Sequence, residues 1–122
     1  MLSEQQIVSV IESIASDTPG FIAASLVDLD SGMTLGVYSK DPSFDLNVAS
    51  AYNSEMVKQK LKIMKALNLR TSLEDMLINL GDQIHLIRLV TPTTFIYMAV
   101  DRTQANLAIV RNVVQKNVAN FE

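Results

Sequence analysis

Few residues in this chain combine the types and spacing that catalysis requires. His85 is the one imidazole among 122 residues and there is no cysteine, so a nucleophile and base pair or a thiolate metal site has no members to draw on. Neither a glycine-rich phosphate loop nor a Gly-x-Ser-x-Gly elbow is present. Asp28 and Asp30 begin like a calcium loop, but the twelfth position, which must supply a carboxylate, is Ser39. Both aspartates read as turn residues. His85 stands in the apolar run IHLIRLV, where a hydrogen-bonded structural histidine is expected rather than a ligand or a base. No catalytic residue, metal ligand or cofactor is assigned, and the chain is not expected to be an enzyme.

What remains is the chemistry of recognition. Lys58, Lys62 and Lys65 recur at helical spacing in a chain of formal net charge -3 and pI near 5.0, which makes them a candidate docking stripe for an acidic partner. The acidic balance argues against nucleic-acid binding, which needs a basic field to displace counterions. The opening residues MLSEQQIVSV lack a basic leader followed by a long apolar run, and no segment reaches the roughly 18 apolar residues of a membrane span. A cytoplasmic protein with no membrane insertion is the expectation, and the absence of cysteine fits it.

The elements that must position these residues follow from periodicity and caps. At 48% hydrophobic, residues 1–122 suit a single domain burying roughly two-thirds of its unfolded surface. Ser3 and Gln6 form a capping box, and Leu2 and Ile7 occupy the positions of a hydrophobic staple, so a helix begins there with Ile7, Ile11 and Ile14 as its stripe. Asp17-Thr18-Pro19-Gly20 ends it. Residues 21–29 are apolar on both alternating faces, as in a central strand, and Asp30-Ser31-Gly32 turns the chain into a second strand at 33–38. A long helix is predicted over 44–68, started by Asp41-Pro42-Ser43 and free of Pro and Gly. Strands are predicted at 74–80, 83–91 and 94–100, too close together for crossover helices and therefore antiparallel neighbours. Asp101 is read as the cap of a last helix reaching about residue 119.

The resulting order, α-β-β-α-β-β-β-α, resembles that of the roadblock/dynein light chain family across nearly the whole chain. The residues that carry the resemblance are Pro19-Gly20 before an Ala-rich strand, the acidic-Gly hairpin from Asp28 to Gly32, LEDMLINLGD from Leu73, His85-Leu86-Ile87-Arg88, and Asn106-Leu107. Asp30-Ser31-Gly32 is a looser turn than the family's. The resemblance implies an α+β fold, a five-stranded antiparallel sheet with one helix on one face and two on the other. It also implies a homodimer formed through the long helix and the edge strand after it, and a role in binding or regulating Ras-like small GTPases.

The residues themselves support a dimer. Along the long helix, Ala49, Tyr52, Met56, Ile63 and Leu67 form one apolar stripe, while Leu46, Val57, Leu61 and Met64 form another, with Asn53 and Lys60 between them. One stripe suffices to dock a helix on a sheet, so the second is surplus, although periodicity leaves open which of them faces the sheet. The strand at 74–80 carries apolar residues with no proline or lysine to guard its edge. Tyr52, Met56, Ile63, Met76 and Ile78 are therefore the expected dimer contacts. Two other functions fit such a fold: a small-molecule sensor of the profilin-like or PAS-like kind, which needs a polar-lined pocket, and a structural self-assembly module.

Overall fold

The computed structural model describes residues 2–122. Helix α1 (Glu4–Ser16) leads into a hairpin of β1 (Phe21–Asp28) and β2 (Thr34–Ser39). Helix α2 (Leu46–Ala66) is followed by β3 (Asp75–Asn79), β4 (Gln83–Thr91), β5 (Thr94–Asp101) and α3 (Leu107–Asn117), and the chain closes in a 3-10 turn, Val118–Phe121. The five strands form one antiparallel sheet in the order β2-β1-β5-β4-β3, with the central strands β1 and β5 almost wholly buried. This is the expected architecture.

Two apolar layers hold it together. Ile7, Ile11 and Ile14 of α1 and Val110, Val113 and Val114 of α3 pack on Ala24, Leu26, Leu86, Ile96 and Met98 on one face. On the other, Leu46 and Val57 of α2 pack on Ala23, Val27, Ile87, Phe95 and Tyr97. Ile11 and Ile14 retain no exposed surface, and burial of each such side chain is worth about 1.5–3 kcal/mol.

The expected cap is the observed one at α1, whereas α2 and α3 start on other residues. Ser3 Oγ accepts from the Gln6 amide at 3.2 Å while Gln6 Oε1 accepts from the Ser3 amide at 2.8 Å, the reciprocal box expected. Helix α2 begins later than predicted, because Asp41 uses its carboxylate on Ser43, accepting from the amide at 3.0 Å and the hydroxyl at 2.6 Å, and so closes a turn of its own. Asp45 is the cap instead, accepting from the Val48 amide at 3.0 Å. At its far end Asn68 takes a left-handed φ of 55°, and the Leu69 amide reaches back to the Met64 carbonyl at 3.0 Å.

Asp101 does not cap the last helix. Its carboxylate accepts from the Thr103 amide at 2.9 Å and hydroxyl at 2.7 Å, and its own amide donates to the Gly20 carbonyl at 2.7 Å, which ties the end of β5 to the start of β1. Asn106 caps α3 through Oδ1, at 2.9 Å from the Ala108 amide and 3.3 Å from that of Ile109. The hairpin turn is likewise anchored by Asp28, whose carboxylate accepts from Ser31 amide and hydroxyl.

Candidate functional site

Helix α2 lies close on the sheet because the residues beneath it are small. Ser50 and Ser54 are fully buried, Ser25 and Ser50 share a hydrogen bond of 2.8 Å, and a Cβ on Gly32 would stand 3.3 Å from the Ala51 backbone. Gly32 also holds φ +74°, so the turn needs glycine for both conformation and space. With Leu46, Val57 and Met64 buried, the stripe that faces the sheet is settled.

The two flanks of α2 then differ in chemistry. One leans over the β1–β2 turn: Asn47 accepts from Thr34 at 3.1 Å, and Lys58 Nζ donates to the Asp30 carbonyl at 2.9 Å and to Glu55 at 3.2 Å. The other flank faces β5, β4 and β3, and carries the surplus stripe. There Tyr52 is 75% exposed, Leu67 63% and Ile63 41%, while Ala49 and Met56 are half-buried against the sheet. Met76 packs on the same cluster, and Ile78 follows it two positions along β3 on the same face, both half-buried. The five residues read from the sequence thus share one side of the molecule.

The lysines are less uniform than their spacing suggests. Lys58 tethers the β1–β2 turn, whereas Lys62 and Lys65 are exposed and join no hydrogen bond or ion pair among the described residues.

Beneath the apolar flank runs a short polar chain that sequence reasoning found only in part. His85 Nε2 lies 2.8 Å from Gln83 Oε1, an oxygen that can only accept, so Nε2 carries the proton. Nδ1 is then bare and accepts from the Tyr97 hydroxyl at 3.1 Å. The rings of Phe44 and Tyr97 stand edge-on to the imidazole at 6.3 and 5.4 Å. Burial holds the His85 pKa below its ordinary 6.5, against the pull of Asp82, and pushes Tyr97 up to about 12, with Asn53 acting the other way. Both imidazole nitrogens are engaged, which is the structural role expected of His85. Gln83 was legible as a same-face neighbour two residues away; Tyr97 needed the β4–β5 register, which places Ile87 opposite Tyr97.

The sign of the pH effect follows. A base whose folded pKa is depressed takes its proton more readily unfolded, so stability falls as pH drops below about 6.5 toward the folded value. Asp28, Asp41 and Asp101, lowered by hydrogen bonds from Ser31, Ser43 and Thr103, add further losses only near and below their ordinary 3.8. His85→Gln is expected to flatten the fall in melting temperature between pH 7 and pH 5; an unchanged slope would assign the acid sensitivity elsewhere.

On the opposite face Asp75 anchors the edge strand. Arg111 of α3 grips its carboxylate at 3.0 Å through both Nε and a terminal nitrogen, and Arg88 lies 3.9 Å from the same group. Among the described residues no group of three or more His, Asp or Glu is placed to hold a metal ion, and no helix is long and apolar enough to cross a membrane.

Solved structures share this arrangement of sheet and helices. MglB from Myxococcus xanthus superposes with a TM-score of 0.86 over 99% of this chain and 90% of its own, at 14% identity. The chain has the roadblock fold. The roadblock/LC7 domain from Streptomyces avermitilis gives 0.81 at 13% identity, over 92% of this chain and 91% of that one. An MglB with a tetrameric arrangement gives 0.83 at 15% identity, over 94% and 84%. No protein-family model matches the sequence, and no curated protein does. At these identities the roadblock likeness is one of architecture, so the side chains of α2 and β3 carry the functional reading.

Proposed function

We propose that this protein is a non-enzymatic, cytoplasmic homodimer that serves as a scaffold or regulator of a Ras-like small GTPase. The observation that carries the reading is the exposed apolar flank of α2, Tyr52, Ile63 and Leu67, running beside half-buried Met56, Met76 and Ile78. Apolar surface gathered this way on one side of a helix and next to an open sheet edge is what a permanent partner covers. The edge is open by register: the Leu80 amide donates to Gln83 and the Leu89 amide to Glu74, so the amides of Asp75, Leu77 and Asn79 point away from the sheet. A second copy can extend the sheet there while the two α2 flanks meet above it. The sensor alternative gains less support, since Ser25 pairs with Ser50 and His85 with Gln83 and Tyr97, leaving the Ser54 hydroxyl as the one buried polar side-chain atom under α2 without a partner among the described residues.

The exposed Lys62 and Lys65 supply the charge for docking an acidic GTPase surface, with Lys58 contributing through its hold on the hairpin. Lys62→Glu with Lys65→Glu is expected to leave dimer mass unchanged and shift stability by less than about 0.5 kcal/mol. Binding should weaken mainly through slower association, and wild-type binding should fall with salt. Titration against the Ras-like small GTPases of the same organism, loaded with a GTP analogue, at two ionic strengths tests this. No binding by wild type removes the GTPase reading; equal affinity of both proteins at both salts removes the lysines from it.

A further inference from the structure

A second surface lies on the other side of the sheet, away from α2. Between the start of α1, the beginning of β2, the β4–β5 turn and the closing 3-10 turn is a groove of about 560 Å³ lined by Leu2, Ile7, Leu26, Leu35 and Phe121, with Thr91, Thr93 and Thr94 along one wall. Its opening is built into the strand. Leu26 pairs with Gly36 and Val27 with Thr34, so Leu35 is an extra, bulged residue with no partner on β1. Thr34 points to α2, where it bonds Asn47, and Leu35 lines the groove at the other face, 37% exposed.

Among the described residues, the charged side chains of the groove are of one sign. Glu4, Asp28 and Glu122 contribute to its wall and no lysine or arginine does. Asp28 is held ionised by its bonds from Ser31, with a smaller contribution from the charge of Lys58 across the turn, and Glu4 and Glu122 take part in no ion pair among the described residues. An apolar floor with an acidic rim, on which Glu4 and Glu122 have no ion-pair partner among the described residues, selects against acidic or purely apolar occupants. A chain segment that sets leucine-like side chains on the floor and lysine or arginine at the rim satisfies both.

We propose that this groove docks a basic, apolar-anchored segment of a partner protein, independently of the α2 face. The protein would then join two partners at once, one on each side of its sheet.

The test uses two short fluorescein-labelled peptides, one alternating leucine with lysine and one alternating leucine with glutamate, and follows anisotropy with the intact protein. The basic peptide should bind and the acidic one should not. Leu35→Arg and Glu122→Lys should each weaken the basic peptide at least tenfold, while Glu12→Lys, the same charge change on an exposed part of α1, should leave it within twofold. Should Leu35→Arg fold poorly, Glu122→Lys still decides. Equal binding of the two peptides, equal affinity of Glu122→Lys and wild type, or an equal loss in Glu12→Lys would each overturn the proposal. Dimer mass and GTPase binding are measured on the same variants and should not change, which separates this groove from the α2 reading.

Discussion

Tyr52→Glu is expected to convert the protein from a dimer into a folded monomer. Tyr52 is 75% exposed in the single chain, so the substitution removes almost nothing from the protomer's own packing. In a dimer the same ring would be a desolvated aromatic anchor, the residue class that dominates interface energies at about 2–4 kcal/mol. A carboxylate in its place adds the cost of burying an unpaired charge. Dimer affinity should therefore fall by roughly a thousandfold, about 4 kcal/mol. Wild type should sediment as a dimer at micromolar concentration, burying on the order of 1,600 Å² or more. Met56→Glu is a poorer probe, because Met56 packs on the cluster beneath α2 and its loss also destabilises the protomer. A dimer of Tyr52→Glu with unchanged affinity would place the interface away from this flank.

That experiment can be chosen only because the structure separates two stripes that periodicity could not. The sequence pattern assigns both to α2, but an apolar residue at helical spacing carries no label saying which neighbour it meets. What decides the matter is the row of small residues, Ser50 and Ser54, above Ser25 and Gly32. Small polar residues do not register as an apolar stripe, yet they let the helix approach closest. The β3–β4–β5 order was legible because strands joined by two or three residues can only be antiparallel neighbours, whereas the β1–β5 pairing that closes the sheet joins strands too far apart in sequence for any turn signal to show. The caps were less legible: Asp41, Asp101 and Asn106 are all competent to cap, and short-range competition with Ser43 and Thr103 decides among them. The Lys58 tether was beyond reach, since its partner is a backbone carbonyl 28 residues away.

The other large effect is expected where no chemistry resides. Gly36→Ala should destabilise the fold by about 1–3 kcal/mol, although alanine suits a strand better than glycine and Gly36 does not adopt a positive φ. The cause is space: a Cβ there would stand 2.5 Å from Ile7 Cγ2 and 3.1 Å from Ile7 Cβ. Ile7 cannot yield, because Cγ2 is fixed directly to Cβ and a β-branched residue in a helix keeps one χ1 rotamer. Relief requires α1 to lift off the sheet, weakening the contacts of Ile11 and Ile14 behind it. Ile7→Ala removes the obstructing methyl at its own cost of about 2–5 kcal/mol. In that background only the 3.1 Å approach to the Cβ of residue 7 remains, so Gly36→Ala should cost clearly less, giving a coupling energy of about 1–2 kcal/mol between the two sites. Urea unfolding of the four proteins at one protein concentration measures it, since dimer formation makes apparent stability concentration-dependent. An equal penalty for Gly36→Ala with either residue at position 7 would show that α1 is not seated on β2 through this contact.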